Sequence, residues 1–382
     1  MGASCVAAAL LPALLAAPAS CATLPNGADA LFRAAVAKAF TSSGVPGLTI
    51  AVASRERIEI FLAVGRRRQD GSARVELDDP FHLASMTKPM TATMIATLVD
   101  DGSLRWDETV AEAWPAEAAR MNARAARITL IQLLEHRSGL AAFTDLAEIA
   151  AAPRFAGDAR ARRAAFAVWL LRREPRFRAG EVHYSNAGYG LAAAMAEQVT
   201  GQGWETLMHG RLFDPLQMRT CGFGWPAARN PAWPSGHRYR PPRFEVHDLA
   251  DGYRVRAILA PAEDVSCSGA DLVRFGRAWL LGLDGEPGVV RPETLRAMVA
   301  APVDGVAVGW MVGAGAIYHP GGAGTFHGVL LVAPGRDVAV AAIANAGQGR
   351  DGSELIKRSM QAALAAYGRP APARSGAADP SR

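Results

Sequence analysis

The sequence predicts an α/β (α+β) architecture: an antiparallel sheet drawn from both chain termini, flanked by helices, with a mainly helical lobe inserted between its halves. Three observations carry this. Short strand-like runs cluster near the two ends, apolar residues in the long middle recur at helical spacing, and a further helical pattern lies outside each set of strands.

Taken in chain order, the first helix is expected at about Ala28 to Phe40, and two strand-like runs follow at Gly47 to Ala53 and Ile58 to Val64. Ser54-Arg55-Glu56 joins them, so they read as a hairpin. Helices are expected over Thr91 to Val99, Thr129 to Glu135, Ala159 to Leu171, Gly188 to Val199 and Asp271 to Leu281. A Pro- and Gly-rich loop from Cys221 to Pro242 is expected to border the cleft between the lobes. Three more strand-like runs, Val306 to Val312, Phe326 to Val332 and Val338 to Ile343, lead to a final helix at about Ser353 to Ala366. The resulting domain spans 23–368, with an α/β lobe at about 28–80 and 300–366 and a helical lobe at about 85–299. The tail 369–382 has little apolar content and reads as disordered.

Val6 to Ala17 is an uncharged Ala/Leu run followed by small residues, which has the length and ending of a secretory signal over residues 1–22, although a basic start is missing. A periplasmic or secreted location is therefore expected. Cys21 offers a second reading as a lipidated cysteine, which would be the one route to a membrane. Cys221 and Cys267 lack metal-ligand spacing, and read either as a disulfide or as two buried thiols. No metal or cofactor is expected. The formal charge of +5 comes from dispersed arginines such as Arg66-Arg67-Arg68 and Arg172-Arg173, read as solvated surface or as contacts to an anionic partner. No aromatic residues interleave with basic runs, so nucleic acid is not an expected partner.

The chemistry centres on Phe81 to Ile95, FHLASMTKPMTATMI. Met86, Met90, Met94 and Leu98 step down one helix face, Pro89 suits a first turn, and Ser85 and Lys88 stand at i and i+3 at the helix start. Serine needs a partner to remove its proton, and a lysine serves only if burial lowers its pKa. The bland alternative is a capping serine and a lysine reaching to solvent. Tyr184-Ser185-Asn186 leads into an apolar helix and supplies a proton-relaying phenol and an amide. His319-Pro320-Gly321-Gly322 precedes a strand; its glycines admit close substrate approach, and the Gly322 N–H is a candidate partner for the Ser85 N–H in an oxyanion hole.

Together these three motifs resemble the serine β-lactamase and D,D-peptidase superfamily, in the branch of class C β-lactamases, D,D-carboxypeptidases, D-aminopeptidases and β-lactamase-like esterases. VPGLTIAV, FHLASMTK, LLEHRSGL, YSNAGYGL, ADLVRF and VGWMV are similar to the family's phrases and span about Ala28 to Ala366. The resemblance implies a β-lactamase/transpeptidase-like fold, an acylated nucleophile at Ser85, a base at Lys88 and a proton relay at Tyr184. It further implies substrate contacts from Asn186, which would hold a side-chain amide, and from His319 and Gly321, with an oxyanion hole at the Ser85 and Gly322 amides. His136 and Ser138 match a phrase that reads as helix-end packing and are left outside the site, as are His183 and His327.

His319 stands where lactam-hydrolysing relatives typically carry lysine, and Pro320 has no N–H to give a substrate carboxylate. Ala262-Glu263-Asp264-Val265 replaces a glycine-rich phrase with carboxylates. The expected function is an exported serine hydrolase forming an acyl-enzyme on an ester, amide or lactam of a small-molecule or peptidoglycan-derived substrate. The alternative is a non-catalytic module of the same fold that senses peptidoglycan or β-lactams. Neither a Gly-x-Ser-x-Gly elbow nor a His-Glu-x-x-His zinc helix occurs in the chain.

Overall fold

The structure is a computed structural model that describes residues 27–247, 257–322 and 324–369. The signal-like segment, Cys21 and the tail from residue 370 onward lie outside the described residues.

The central sheet contains β1 (Gly47–Ala53), β2 (Ile58–Gly65), β3 (Met311–Gly313), β4 (Ala316–Gly322), β5 (His327–Ala333) and β6 (Val338–Ala344). Its order is β2-β1-β6-β5-β4-β3, antiparallel throughout, so the N-terminal hairpin joins the C-terminal strands through the β1/β6 pair, where Thr49 faces Ile343. Both faces are covered, which explains strands that are apolar at nearly every position. Leu48, Ile50, Val52, Val340 and Leu331 pack under α1 (Ala28–Ser43) and α7 (Arg350–Tyr367). Ala51, Ala53, Leu330 and Ile343 face the larger core, where α5 (Gly269–Asp284) lies against β1, β5 and β6.

The helical part adds α2 (Thr87–Asp100), α3 (Ala159–Leu171), α4 (Asn186–Thr200) and α6 (Pro292–Ala300). From Thr87 to Leu98 every residue of α2 is buried, so this helix is the axle of the lobe rather than an amphipathic surface element. Its threonines are satisfied: Thr91 donates to the Pro261 carbonyl at 2.8 Å and Thr93 to Pro89 at 2.7 Å, while the indoles of Trp204 and Trp279 donate to them at 3.1 and 3.0 Å.

Two differences from the sequence reading matter for the site. The expected strand Val306 to Val312 is mostly an irregular segment with isolated bridges, and only Met311–Gly313 forms β3. The His-Pro-Gly-Gly motif, expected only to precede a strand, lies inside β4. Alternation hid it, because Ala, Gly, His and Pro lack strand propensity. Pro320 is tolerated because β3 pairs no further along β4 than Tyr318, and position 320 shares its orientation with 316 and 318, which face β3 across a two-residue turn. Gly322, two further along, presents its N–H on the same free edge.

The middle of the chain also holds β structure that the helical periodicity did not show: a small sheet of Phe81–His82, Val265–Cys267 and Gly222–Phe223, and a hairpin of His237–Arg240 with Arg243–Val246. A disulfide joins Cys221 to Cys267 beside the first of these, which leads directly into the Ser85 turn. The bridged residues are 46 apart. Replacing both cysteines by alanine is expected to cost about 2–4 kcal/mol of unfolding free energy, measured by denaturant titration of oxidised and variant protein. The arginine runs meet acids of their own chain: Arg67 pairs with Asp79 at 2.7 Å, Arg68 with Asp70, and Arg172 with Glu117 at 2.7 Å. Among the described residues no helix is long and apolar enough to cross a membrane.

Candidate active site

Ser85 sits in a one-turn 3₁₀ helix, Ala84–Met86, that runs straight into α2. No side chain caps either helix start, so Ser85 is not a capping residue. Ala84 is held at φ 47°, a left-handed conformation that costs a non-glycine residue about 1–3 kcal/mol and marks positions the surroundings over-determine. Part of that constraint is Gly321 on β4. A Cβ there would stand 2.1 Å from the Leu83 carbonyl oxygen and 3.1 Å from Met86, so its bare Cα admits the Ser85 turn. The missing Cβ of Gly321 therefore has a packing task besides the close substrate approach expected of it.

Lys88 does not reach to solvent. Its side chain is fully buried, and its Nζ donates to Ser85 Oγ at 3.2 Å, to Asn186 Oδ1 at 2.8 Å and to the Ala262 carbonyl at 3.2 Å. Desolvation lowers its pKa to about 7, with the charge of Glu263 opposing the fall. The ammonium also lies over the rings of Tyr184, at 4.5 Å, and Tyr189, at 5.6 Å.

Tyr184 and Asn186 flank Ser185, which caps α4 by accepting from the Gly188 N–H at 3.0 Å. Burial pushes the Tyr184 phenol well above its ordinary pKa, opposed by the Ser85 hydroxyl beside it, so the group rests as a phenol and not as a phenolate. Asn186 donates from Nδ2 to the Phe143 carbonyl at 3.2 Å and to Glu263 Oε2 at 3.4 Å. Its two amide hydrogens are therefore engaged, which differs from the expected free donor for a substrate amide.

His319 is buried, with its ring 6.3 Å from that of Tyr184. Its Nδ1 lies 2.7 Å from the Pro320 carbonyl, which assigns the proton to that nitrogen, and burial together with the nearby Lys88 lowers its pKa to about 3. It is a neutral ring at neutral pH and offers no positive charge to a carboxylate.

His136, left outside the site by the sequence reading, belongs to it. Its ring packs on Tyr184 with centroids 4.4 Å apart, its Nδ1 accepts from the Ser185 N–H at 2.9 Å, and its backbone adopts φ 61°. Burial holds it neutral, so it serves as a rigid plate that fixes the phenol. The signal was its place in LLEHRSGL, a phrase that packs against the Tyr184 turn through the His183 N–H to His136 carbonyl bond at 2.8 Å. Ser138 remains local, accepting from the Leu140 N–H at 3.4 Å. His183 stacks on Phe177, and His327 turns Nδ1 to the Gly321 carbonyl at 2.9 Å. Among the described residues no group of three or more His, Cys, Asp or Glu side chains is placed to hold a metal ion.

A family profile described as Beta-lactamase matches residues 28–364. Among curated proteins, penicillin-binding protein 4 of Amycolatopsis lactamdurans is 28% identical over 334 residues, covering 80% of this chain and 82% of that protein. D-alanyl-D-alanine-carboxypeptidase/endopeptidase AmpH of Escherichia coli K12 is 26% identical over 191 residues, 47% of this chain and 46% of that one. Among solved structures, a crystal structure of SurE superposes with a TM-score of 0.71 at 24% identity, covering 92% of this chain and 79% of that chain. The octameric penicillin-binding protein homologue from Pyrococcus abyssi follows with 0.70 at 18% identity, covering 87% and 76%. These two likenesses concern the fold alone.

Proposed function

Because the chain belongs to the Beta-lactamase family and carries a serine hydrolase of that fold, we propose that it acts through an acyl-enzyme at Ser85, on esters or amides whose leaving group carries no carboxylate. The supporting observation is the buried Lys88 amine, 3.2 Å from Ser85 Oγ and with its pKa lowered to about 7. In this reading the neutral amine takes the Ser85 proton as Oγ attacks the carbonyl carbon. The Ser85 and Gly322 N–H groups receive the developing oxyanion, and the Tyr184 phenol passes a proton to the leaving group. The Lys88 ammonium then restores the phenol proton, and the freed amine takes a proton from the water that releases the acyl group.

The preference within that chemistry rests on His319 and Pro320. A leaving group bearing a carboxylate would meet an uncharged imidazole and a residue without an N–H, so neither an ion pair nor a backbone bond awaits it there. Export is part of the proposal and is supported by the signal-like start and by the disulfide, which suits an oxidising compartment.

The test is incubation of mature protein with a fluorophosphonate probe and mapping of the adduct by peptide mass. A short acyl ester, nitrocefin and a D-alanyl-D-alanine peptide are then turned over side by side. An adduct on Ser85 and faster ester turnover are expected. No adduct at all would favour a non-catalytic binding module, and a preference for the D-alanyl-D-alanine peptide would overturn the leaving-group reading.

The pH dependence has a definite sign. Below the Lys88 pKa the ammonium cannot accept a proton, so acylation should lose about tenfold per pH unit below pH 7 and level off above it. A stopped-flow pH profile of the acylation step checks this, and a rate independent of pH between 5 and 8 would remove Lys88 as the base.

A further inference from the structure

Glu263 has no part in that chemistry, yet its carboxylate reaches into this cluster. It ends a short helix, Ala260–Glu263, whose Ala262 carbonyl accepts from Lys88 at 3.2 Å. Its Oε2 lies 3.4 Å from Asn186 Nδ2, and its charge acts on both Lys88 and Tyr184. His82 and Asp264 are the other charged or titratable groups that face it. Asp264 is itself turned to His82, at 3.4 Å.

This placement changes what the subsite beside Lys88 can recognise. Asn186 spends Oδ1 on Lys88 and its amide hydrogens on Phe143 and Glu263. A carbonyl oxygen arriving there finds no free donor and meets a carboxylate whose lone pairs oppose it. A group rich in N–H donors and positive charge meets the reverse. Burial pushes the Glu263 carboxyl pKa up, so an arriving cation would also favour the ionised acid. The need is greatest in the reactive form, in which Lys88 is neutral and the negative charge of Glu263 has no counter-ion among the described residues within ion-pairing distance.

We propose, resting on the acyl-enzyme reading of Ser85, that Glu263 is a specificity-determining residue: with Asn186 it forms a subsite for a protonated amine next to the carbonyl that Ser85 attacks. The substrates selected are then acyl donors with a free amino group, such as amides or esters of amino acids, in preference to their N-acylated counterparts. The ammonium donates to the Glu263 carboxylate in place of Asn186 Nδ2, which returns to the Phe143 carbonyl alone.

The experiment compares kcat/KM for alanine p-nitroanilide, in both enantiomers, with the N-acetylated forms, on wild type and on Glu263→Gln. Acylation is followed as a mass adduct on Ser85. The wild type is expected to favour the free amine of at least one enantiomer by about tenfold or more, and the isosteric Gln variant to bring that ratio near one. Glu263→Gly, which removes the group altogether, should move the ratio further toward the acetylated form. A wild-type ratio at or below one overturns the proposal without recourse to any variant. So does an unchanged ratio in a Gln variant whose melting curve matches the wild type. A fluorophosphonate adduct on Ser85 without amine preference defeats this inference alone, and no adduct with any reagent defeats it together with the acyl-enzyme reading.

Discussion

Lys88→Met is expected to lower kcat/KM for any ester the protein turns over by about 10³- to 10⁴-fold or more, and Ser85→Ala to abolish covalent labelling. Methionine keeps the length and apolar bulk of the lysine stem at a position that is itself fully buried. The Asn186 Oδ1 and Ala262 carbonyl lose a donor, at about 1–3 kcal/mol for each acceptor left buried and unpaired. Removing a buried amine offsets part of that loss, so the fold should survive. The double variant should be no slower than Ser85→Ala, because the two side chains act in a single proton transfer and their effects do not add. Steady-state rates on a short acyl ester, with circular dichroism on each variant, decide the matter. A methionine variant within tenfold of wild type would show that another base takes the proton.

The frame of the fold was legible because its elements are locally self-consistent. Ala159–Leu171 has an aspartate cap at Asp158, whose side chain accepts from the Ala161 N–H at 2.8 Å, and apolar residues at helical spacing, and the helix has the expected bounds. β1 and β2 are near-continuous apolar runs that turn where Ser54-Arg55-Glu56 predicts. β4 was not legible, because what makes it a strand is β5 on one side and the Ser85 turn against Gly321, and neither contact is local. The site divides the same way. Ser85 and Lys88 are three residues apart, so helix geometry alone joins them, whereas the burial that lowers the lysine pKa is supplied by Tyr184, Asn186 and Ala262, contributed by distant segments. Asn186 was found by its motif, but its occupied amide could not be, since Phe143 and Glu263 lie 43 and 77 residues away. His136 was set aside because a histidine at a helix end usually only packs. Here the turn it ends is the one on which Tyr184 rests.

Arg163→Met is expected to destabilise the protein by about 3–5 kcal/mol, the largest stability effect of a single substitution foreseen here. The guanidinium is fully buried on α3. It contacts Glu197 of α4 at 2.6 Å from Nη2 and 3.1 Å from Nε, Glu205 at 2.7 Å, and the Ala257 carbonyl at 3.1 Å. Glu197 is buried too, and besides Arg163 its Oε1 has the Trp204 N–H at 2.7 Å. Methionine fills much of the arginine volume, so the cost is dominated by the carboxylate left without its counter-charge. Glu205 retains partial contact with solvent and contributes less. The expected signature is a partial recovery in Arg163→Met/Glu197→Met, which removes both buried charges and should regain at least half of the loss. Urea titrations of the wild type and the three variants test this. A double variant as unstable as the sum of its parts would mean that packing of the arginine stem, and not charge pairing, sustains the α3/α4 contact. Ala257 leads into the helix that presents Ala262 and Glu263 to Lys88, so the single variant should also shift the pH midpoint of acylation. A midpoint unchanged in that variant would mean that the segment from 257 to 263 is held by its other contacts, Gly190 against the Ile258 carbonyl and Thr91 against the Pro261 carbonyl.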